Sequence, residues 1–340
     1  MTRNDFSQLL NNIEVSGDAS HEDVIKLVLP ISNAVCKMMP EQLFRYRRCT
    51  DLNIDAFEHD KIYAVTADKF NDPYDTLTMF NVDNMRRFVD ELMTKESFLH
   101  LQQRLKDRIG TPNIIKESYS EEKIKEVESV FLAIKDDKLD DFVYKQKNDF
   151  IHVIELLYPI LAELNKRYST IACFSETINS VTMWSHYADY HKGFALEYNF
   201  RPTLSNGIPN IGIFPVIYEE ERYDATIYIS WCFLKTLGLN ISELDKLAHI
   251  KYALHKSAQW EYEQEWRLID STTRNNVLMD DNTVITFAPK AIYYGRNIDI
   301  NHKSRLHKIA VSKNLKEYDM YIDHSSPKYE MLYRQSSSGD

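Results

Sequence analysis

Thr170-Ile-Ala-Cys-Phe-Ser-Glu176, followed by Met183-Trp-Ser-His-Tyr-Ala-Asp-Tyr-His-Lys-Gly-Phe-Ala-Leu-Glu-Tyr198, decides the fold. The first stretch is dense in β-branched and aromatic residues and predicts a strand over 170–174. The spacing of apolar residues then predicts a short helix over 181–190. Gly193 stands just beyond it as an expected left-handed cap, and 194–198 reads as another strand.

Working outward, further strands are expected at 43–47, 61–65, 214–218, 263–268, 284–287 and 291–294. Helices are expected over 23–39, 225–237 and 242–257, with Pro30 predicting a kink or two short helices in the first. Between about 83 and 167 the chain is rich in Lys, Glu, Leu and Ile with almost no Gly; stretches such as 85–108 and 147–164 predict amphipathic helices. The expectation is an α+β fold, a mixed, mostly antiparallel sheet core with an inserted helical lobe. Residues 1–40 are expected as a helical lead-in, 41–330 as a single domain carrying the insertion at about 83–167, and 331–340 as a disordered tail.

Bulk composition narrows the function classes. At 340 residues, 44% hydrophobic and 27% charged, the chain has the make-up of a soluble globular protein. Only 8 Gly and 10 Pro, against 21 Tyr and 16 Phe, argue against long linkers. A net charge of -10 speaks against a general phosphate-backbone binder. No stretch approaches the roughly 18 apolar residues of a membrane span, and the first residues lack signal-peptide layout. Cys36, Cys49, Cys173 and Cys232 are far apart and form no CxxC, which predicts a reduced, cytoplasmic setting. No Walker phosphate loop, GxGxxG, HExxH or GxSxG is present.

Chemistry-bearing residues crowd into short islands. In Glu263-Gln-Glu-Trp-Arg-Leu268, strand alternation puts Glu263, Glu265 and Arg267 on one face. Such paired carboxylates suit general-base work or metal binding, and equally suit a solvated face with Arg267 as internal ion partner. In Leu43-Phe-Arg-Tyr-Arg47, Arg45 and Arg47 share a face, where they can grip a pyrophosphate or neutralise Glu263 and Glu265. Trp184, Tyr187 and His191 form a helical stripe that fits core packing or a ligand platform, with Ser175 and Glu176 just before it. His186, Asp189 and His191 match no zinc spacing, so no metal is expected there. Asn71-Asp-Pro-Tyr-Asp75 is turn chemistry, with its carboxylates capping their own backbone or meeting a metal.

These islands, taken together, resemble a bacterial family known as domain of unknown function 2971. They are Phe44-Arg-Tyr-Arg47, Phe70-Asn-Asp-Pro-Tyr-Asp75, Cys173-Phe-Ser-Glu176, Met183 to Gly193, Tyr262-Glu-Gln-Glu-Trp-Arg267 and Ala291-Ile-Tyr-Tyr-Gly295. The resemblance spans about 41–300, with Tyr74 where the family pattern has Phe. It implies a shared fold and carries no activity. More distantly, the order of an Arg-bearing first strand, an aromatic Ser/Tyr segment and a Glu-x-Glu strand is similar to ADP-ribosyltransferases. That similarity implies Arg45 or Arg47 holding the dinucleotide, and Ser175 or Tyr187 framing nicotinamide, beside Trp184 and His186. Glu265, helped by Glu263, would then face the ribose.

The functional expectation is therefore an NAD-using, ADP-ribosyltransferase-like enzyme, or an NAD glycohydrolase if water is the acceptor, acting as a toxin or phage-defence effector. NAD or a related nucleotide is the expected ligand, with a protein or nucleic-acid acceptor and no membrane partner. Two rivals use the same islands: a metal-dependent nuclease built from Asp72, Asp75, Glu263 and Glu265, and a non-enzymatic sensor or partner-binding protein.

Overall fold

Alternation along each strand sorts side chains to the two faces of one sheet. In β1 (Leu43–Arg47), Leu43 joins the larger apolar core, while Phe44 and Tyr46 join a second core on the opposite face. β4 (Phe194–Tyr198) repeats this: Phe194, Leu196 and Tyr198 face the first core and Ala195 the second. The computed structural model describes residues 1–107, 120–167, 169–205, 208–209, 212–236, 245–271, 273–274, 277–278 and 282–336.

Among the described residues the sheet has ten strands. Its main path in space runs β9 (Asn282–Thr286), β2 (Lys61–Thr66), β3 (Ser169–Ser175), β1, β4, β10 (Ala291–Tyr294), β11 (Lys316–Tyr321), β12 (Leu332–Gln335). β8 (Glu265–Ser271) branches from β3 and carries β5 (Ile213–Pro215) on its outer side. Pairings in this sheet are antiparallel except β10 with β11, where α11 (Ile300–Ser312) makes the crossover that a parallel pair requires. The expected α+β fold with a mixed, mostly antiparallel sheet is thus the observed one.

Helices flank this sheet. α1 (Arg3–Asn11) and α2 (His21–Met38) cover the first core, and α3 (Asp51–Glu58) packs on β2. Between β2 and β3 come α4 (Val82–Leu92), α5 (Lys95–Lys106), α6 (Glu121–Leu132) and α7 (Asp136–Asn165), within the span expected to be a helical lobe. Met85, Val89, Phe98, Leu139, Phe150 and Ile154 give these helices an apolar core of their own. No helix among the described residues is long and apolar enough to cross a membrane.

Several local expectations change. α2 runs through Pro30 as one helix. The stretch from 85 breaks after Leu92, because the Thr94 hydroxyl accepts from Ser97 N at 3.1 Å and starts a new helix; Arg108 lies outside the described residues. The strand expected at 214–218 is split at Val216, with Ile217–Glu219 (β6) pairing in parallel with His255–Ser257 (β7) instead. α9 is Thr226–Thr236, with 237 outside the described residues. The helix expected over 242–257 is shortened to α10 (Ala248–Leu254), and 242–244 lie outside the described residues. The tail expected to be disordered from 331 forms β12 as far as Gln335, because Met331 is buried and Tyr333 packs edge-on against Tyr293 at 5.2 Å. Residues 337–340 lie outside the described set.

Gly193 is not the left-handed cap of α8 (Val181–Tyr187). Asp189, Tyr190 and His191 take that backbone region, with φ of 47°, 53° and 68°. Their hydrogen bonds hold them there: Tyr190 N to Ser185 O at 3.2 Å and His191 N to Trp184 O at 3.1 Å. Gly193 is required for closeness, since a Cβ there would lie 2.1 Å from Arg47 O. The contact is backbone and cannot swing aside. Gly193→Ala is therefore expected to destabilise the fold by about 2–3 kcal/mol, in the range of overpacked sites, read as a lowered urea midpoint at unchanged m-value.

Candidate functional site

β3 is shared unevenly by its neighbours. On one side it pairs with β8 along its whole length, Glu265↔Ser175 to Ser271↔Ser169. On the other it pairs with β2 at Ile171 and Thr170, and with β1 at Ser175. β1 and β2 therefore diverge from one strand like the arms of a fork. A cavity of about 450 Å³ opens at the fork, lined by Tyr63 and Val65 of β2, Cys173 and Phe174 of β3, and Arg45 and Arg47 of β1. That volume lies in the range of small-molecule sites.

Arg45 bridges the fork. Its Nη2 donates to Tyr63 O at 2.5 Å, and its guanidinium sits 5.5 Å from the Phe174 ring centre. The residue is 7% exposed, and its Nε has no hydrogen-bond partner among the described residues. No described carboxylate pairs with it. Burial lowers its pKa, but a guanidinium stays charged at neutral pH. Arg47 is half-buried and donates to Tyr46 O at 3.2 Å, and Arg48, Lys61 and Lys69 also line this cavity. One part of the site is thus rich in cations.

The other part is a buried charge network. Arg267, fully buried, donates to both Asp75 oxygens at 2.7 and 2.6 Å and through Nε to Glu265 Oε1 at 2.9 Å. Lys256 Nζ meets Glu263 Oε2 at 2.5 Å, Glu265 Oε2 at 2.9 Å and Asp75 Oδ2 at 3.5 Å. Burial pushes the Glu265 carboxyl up, but Arg267 and Lys256 outweigh this and hold it well below the usual carboxylate range. Burial raises Glu263, which Lys256 only partly offsets and Glu265 reinforces. Lys256 loses to burial but gains more from Glu265 and Asp75, so its ammonium is strongly retained. Three carboxylates against two cations leave one excess negative charge, and Glu263 is the member readiest to take a proton.

Glu263 comes to this network by a route that strand alternation misses. Residues Ala258–Glu263 form a 3-10 turn, and Gln264 has φ of 46°, so β8 begins only at Glu265. The left-handed step folds Glu263 back over Lys256. It is pinned by Ser175 Oγ donating to Glu263 O at 2.6 Å, by Glu265 N donating to Tyr218 Oη at 2.7 Å, and by Arg3 Nη1 donating to Glu265 O at 2.9 Å.

The expected site residues divide as follows. Arg45, Arg47, Ser175, His186, Tyr187, Glu263 and Glu265 all line the one cavity. Tyr187 Oη donates to Glu263 Oε1 at 2.5 Å, and burial together with that carboxylate raises its pKa. Ser175 is committed to backbone rather than open to a ligand. His186 is exposed, with Nδ1 3.3 Å from Tyr262 Oη, and forms an aromatic rim with Trp260 and Tyr262. Trp184 is a correction: it is fully buried, donates through Nε1 to Ile178 O at 2.7 Å and packs edge-on against Tyr46. The helical stripe places it in the core. Asp72 caps its own turn, Oδ1 accepting from Tyr74 N at 2.9 Å, and it does not line this cavity. Of the four carboxylates that the nuclease reading uses, Asp75, Glu263 and Glu265 meet at Lys256, while Asp72 lies outside this cavity. Lys256 was missed because it lies in a stretch that reads as amphipathic helix. Its one signal is a lysine shortly before a carboxylate-rich segment.

The class defined by this geometry is an α+β protein with a ligand-sized cleft at a forked sheet. Residues 183–268 match the family model described as "Protein of unknown function (DUF2971)", which bears out the family resemblance carried by the motifs. The matched segment holds α8 from Met183 onward, β4, Lys256 and both glutamates of the site. No curated protein and no solved structure matches the chain.

The network makes a pH-dependent prediction. Lys256→Met removes a cation from three buried carboxylates and is expected to destabilise the protein by about 3–5 kcal/mol at pH 7. In the wild type, the stability that Glu265 contributes is present above its unfolded pKa and is lost as pH falls through its lower folded value. In the variant Glu263, which Arg267 does not reach, loses the ammonium that offsets its burial, so its carboxyl is raised further and takes up a proton on folding as pH falls. The deficit should be largest at pH 7–8 and shrink towards pH 5, measured by urea unfolding. A deficit independent of pH contradicts the network.

Proposed function

We propose that the cleft takes NAD and that the protein transfers its ADP-ribose or hydrolyses it. The diphosphate lies against Arg45 and Arg47, and the nicotinamide ribose against Glu263 and Tyr187. The observation that supports this reading is Arg45, a buried cation with no counter-ion among the described residues, lining the same cavity as a carboxylate of raised pKa. An anion at one end and a developing cation at the other is the charge pattern of a dinucleotide losing nicotinamide. The basic residues around Arg45 suit phosphates, and Phe44, Tyr63 and His186 provide flat surfaces for rings.

The reaction follows from the charges. The bond from ribose C1′ to the nicotinamide nitrogen breaks, and its electron pair returns to the ring, which leaves neutral. The ribose keeps a positive, oxocarbenium-like charge that the Glu263 carboxylate faces. The acceptor's nucleophile, or water, bonds to C1′ and gives its proton to Glu263. Glu265 has both oxygens bound by cations and acts by fixing Lys256, so Glu263 takes the principal role that motif order assigns to Glu265. Consumption of NAD would suit a toxin or phage-defence effector in the cytoplasm.

Calorimetric titration of NAD and a nicotinamide-release assay test this. Arg45→Ala/Arg47→Ala should weaken binding by about tenfold or more. Glu263→Gln should still bind NAD but release nicotinamide at least about a hundredfold more slowly. An absence of heat with NAD in the folded wild type, or full nicotinamide release by Glu263→Gln, defeats the reading.

A further inference from the structure

A second cavity, of about 340 Å³, is lined by Lys256 and by Asp72, Tyr74 and Thr76 of the turn after β2. Lys256 lines both cavities, so its stem forms part of their common wall. Two polar groups of the second cavity are unsatisfied. Asp72 is 6% exposed and Thr76 3%, and neither Asp72 Oδ2 nor Thr76 Oγ1 has a hydrogen-bond partner among the described residues. A buried carboxylate oxygen left unpaired is costly unless something meets it.

The surroundings say what kind of group would meet it. Glu220 and Glu221 line the cavity and are exposed. The cations facing it are Lys256 and Arg222. Lys256 is already matched by Asp75, Glu263 and Glu265. Arg222 is exposed at the rim, 5.9 Å from the Tyr74 ring centre, with Nη1 3.5 Å from Thr78 O. His255 adds no positive charge, because burial lowers its pKa, opposed by its bond to Lys251 O. Trp260, Tyr74 and Tyr223 supply aromatic surface. Carboxylates with aromatic faces attract ammonium and guanidinium groups through both charge and ring quadrupole.

We propose that this cavity is a binding site for an organic cation, a guanidinium or primary ammonium on an aliphatic stem, with Asp72 as its carboxylate anchor and Trp260 and Tyr74 as its aromatic walls. The inference stands apart from the nucleotide reading of the first cavity. Such a group can come from a free amine or from a basic side chain of another protein.

Agmatine and the tripeptide acetyl-Gly-Arg-Gly-amide, titrated into the full chain by calorimetry, separate these sources. The wild type should bind at least one of them saturably, at one site per chain. Asp72→Asn keeps the Oδ1 acceptor for Tyr74 N, so the turn is retained, while the charge is lost. It should bind about tenfold more weakly or worse. Glu220→Gln/Glu221→Gln, both exposed positions, should weaken binding less. Asp72 lines the second cavity and not the first, so weakening in Asp72→Asn assigns the cation to the second cavity. Preference for agmatine identifies a free amine ligand, and preference for the tripeptide a protein side chain. The proposal is overturned if neither probe saturates, or if folded Asp72→Asn binds as the wild type does.

Discussion

The buried ion network of Asp75, Lys256, Glu263, Glu265 and Arg267 is the constraint on which the rest of the site depends. Its members come from four places: the turn after β2, the strand after α10, the 3-10 turn and β8. A bidentate Arg267–Asp75 pair fixes the 70–75 turn against β8, and Lys256 ties the 3-10 turn to both. Replacing such a network with apolar side chains of equal volume is often neutral or stabilising, so stability alone gives no reason to build it. What it provides is position. Each charge is tolerable at that depth only while its partners stay in place, which holds these four segments in one geometry.

The fork in the sheet follows from the same economy of partners. β3 spends one edge on β8, and its other edge is divided between β2 at one end and β1 at the other. Between the arms the backbone of a closed sheet would leave no room for a ligand. Here the gap is crossed by one long side chain, Arg45, whose Nη2 reaches Tyr63 O. β1 itself is held by five paired residues on β4, and Gly193 lets the chain before β4 pass directly beneath Arg47 O. The first-strand arginines are therefore displayed by a strand anchored on its far side and open on its near side.

Much of this was legible in the chain. The central strands announce themselves because Thr170–Phe174, Leu43–Arg47 and Phe194–Tyr198 combine β-branched or aromatic residues with clear alternation. The peripheral elements did not. α11 and β11 are rich in Lys and His, with only Leu306, Ile309, Ala310 and Met320 buried, so neither period stands out against polar surroundings. Seven proposed site residues meet in one cavity because each sat in an island too polar to be ordinary core. Trp184 differed: a tryptophan on a helical stripe satisfies its one donor on Ile178 O and fills volume. The position of Glu263 had no local signal, because nothing in Glu-Gln-Glu indicates that Gln264 steps into the left-handed region. Tertiary partners of Glu263 and Glu265 decide that step.

That step also divides the labour between two glutamates that the motif presents as equals. Had β8 begun at Glu263, both carboxylates would project from one face at similar depth, and Arg267 would serve both. The turn at Gln264 instead leaves Glu265 enclosed between Arg267 and Lys256, with its charge fixed, and lifts Glu263 onto Lys256 and Tyr187 only. A carboxylate between two cations cannot readily accept a proton. One that shares a single ammonium with its neighbours, in a desolvated site, can. Placing a spectator carboxylate next to a responsive one is how closely spaced acidic groups acquire different tasks.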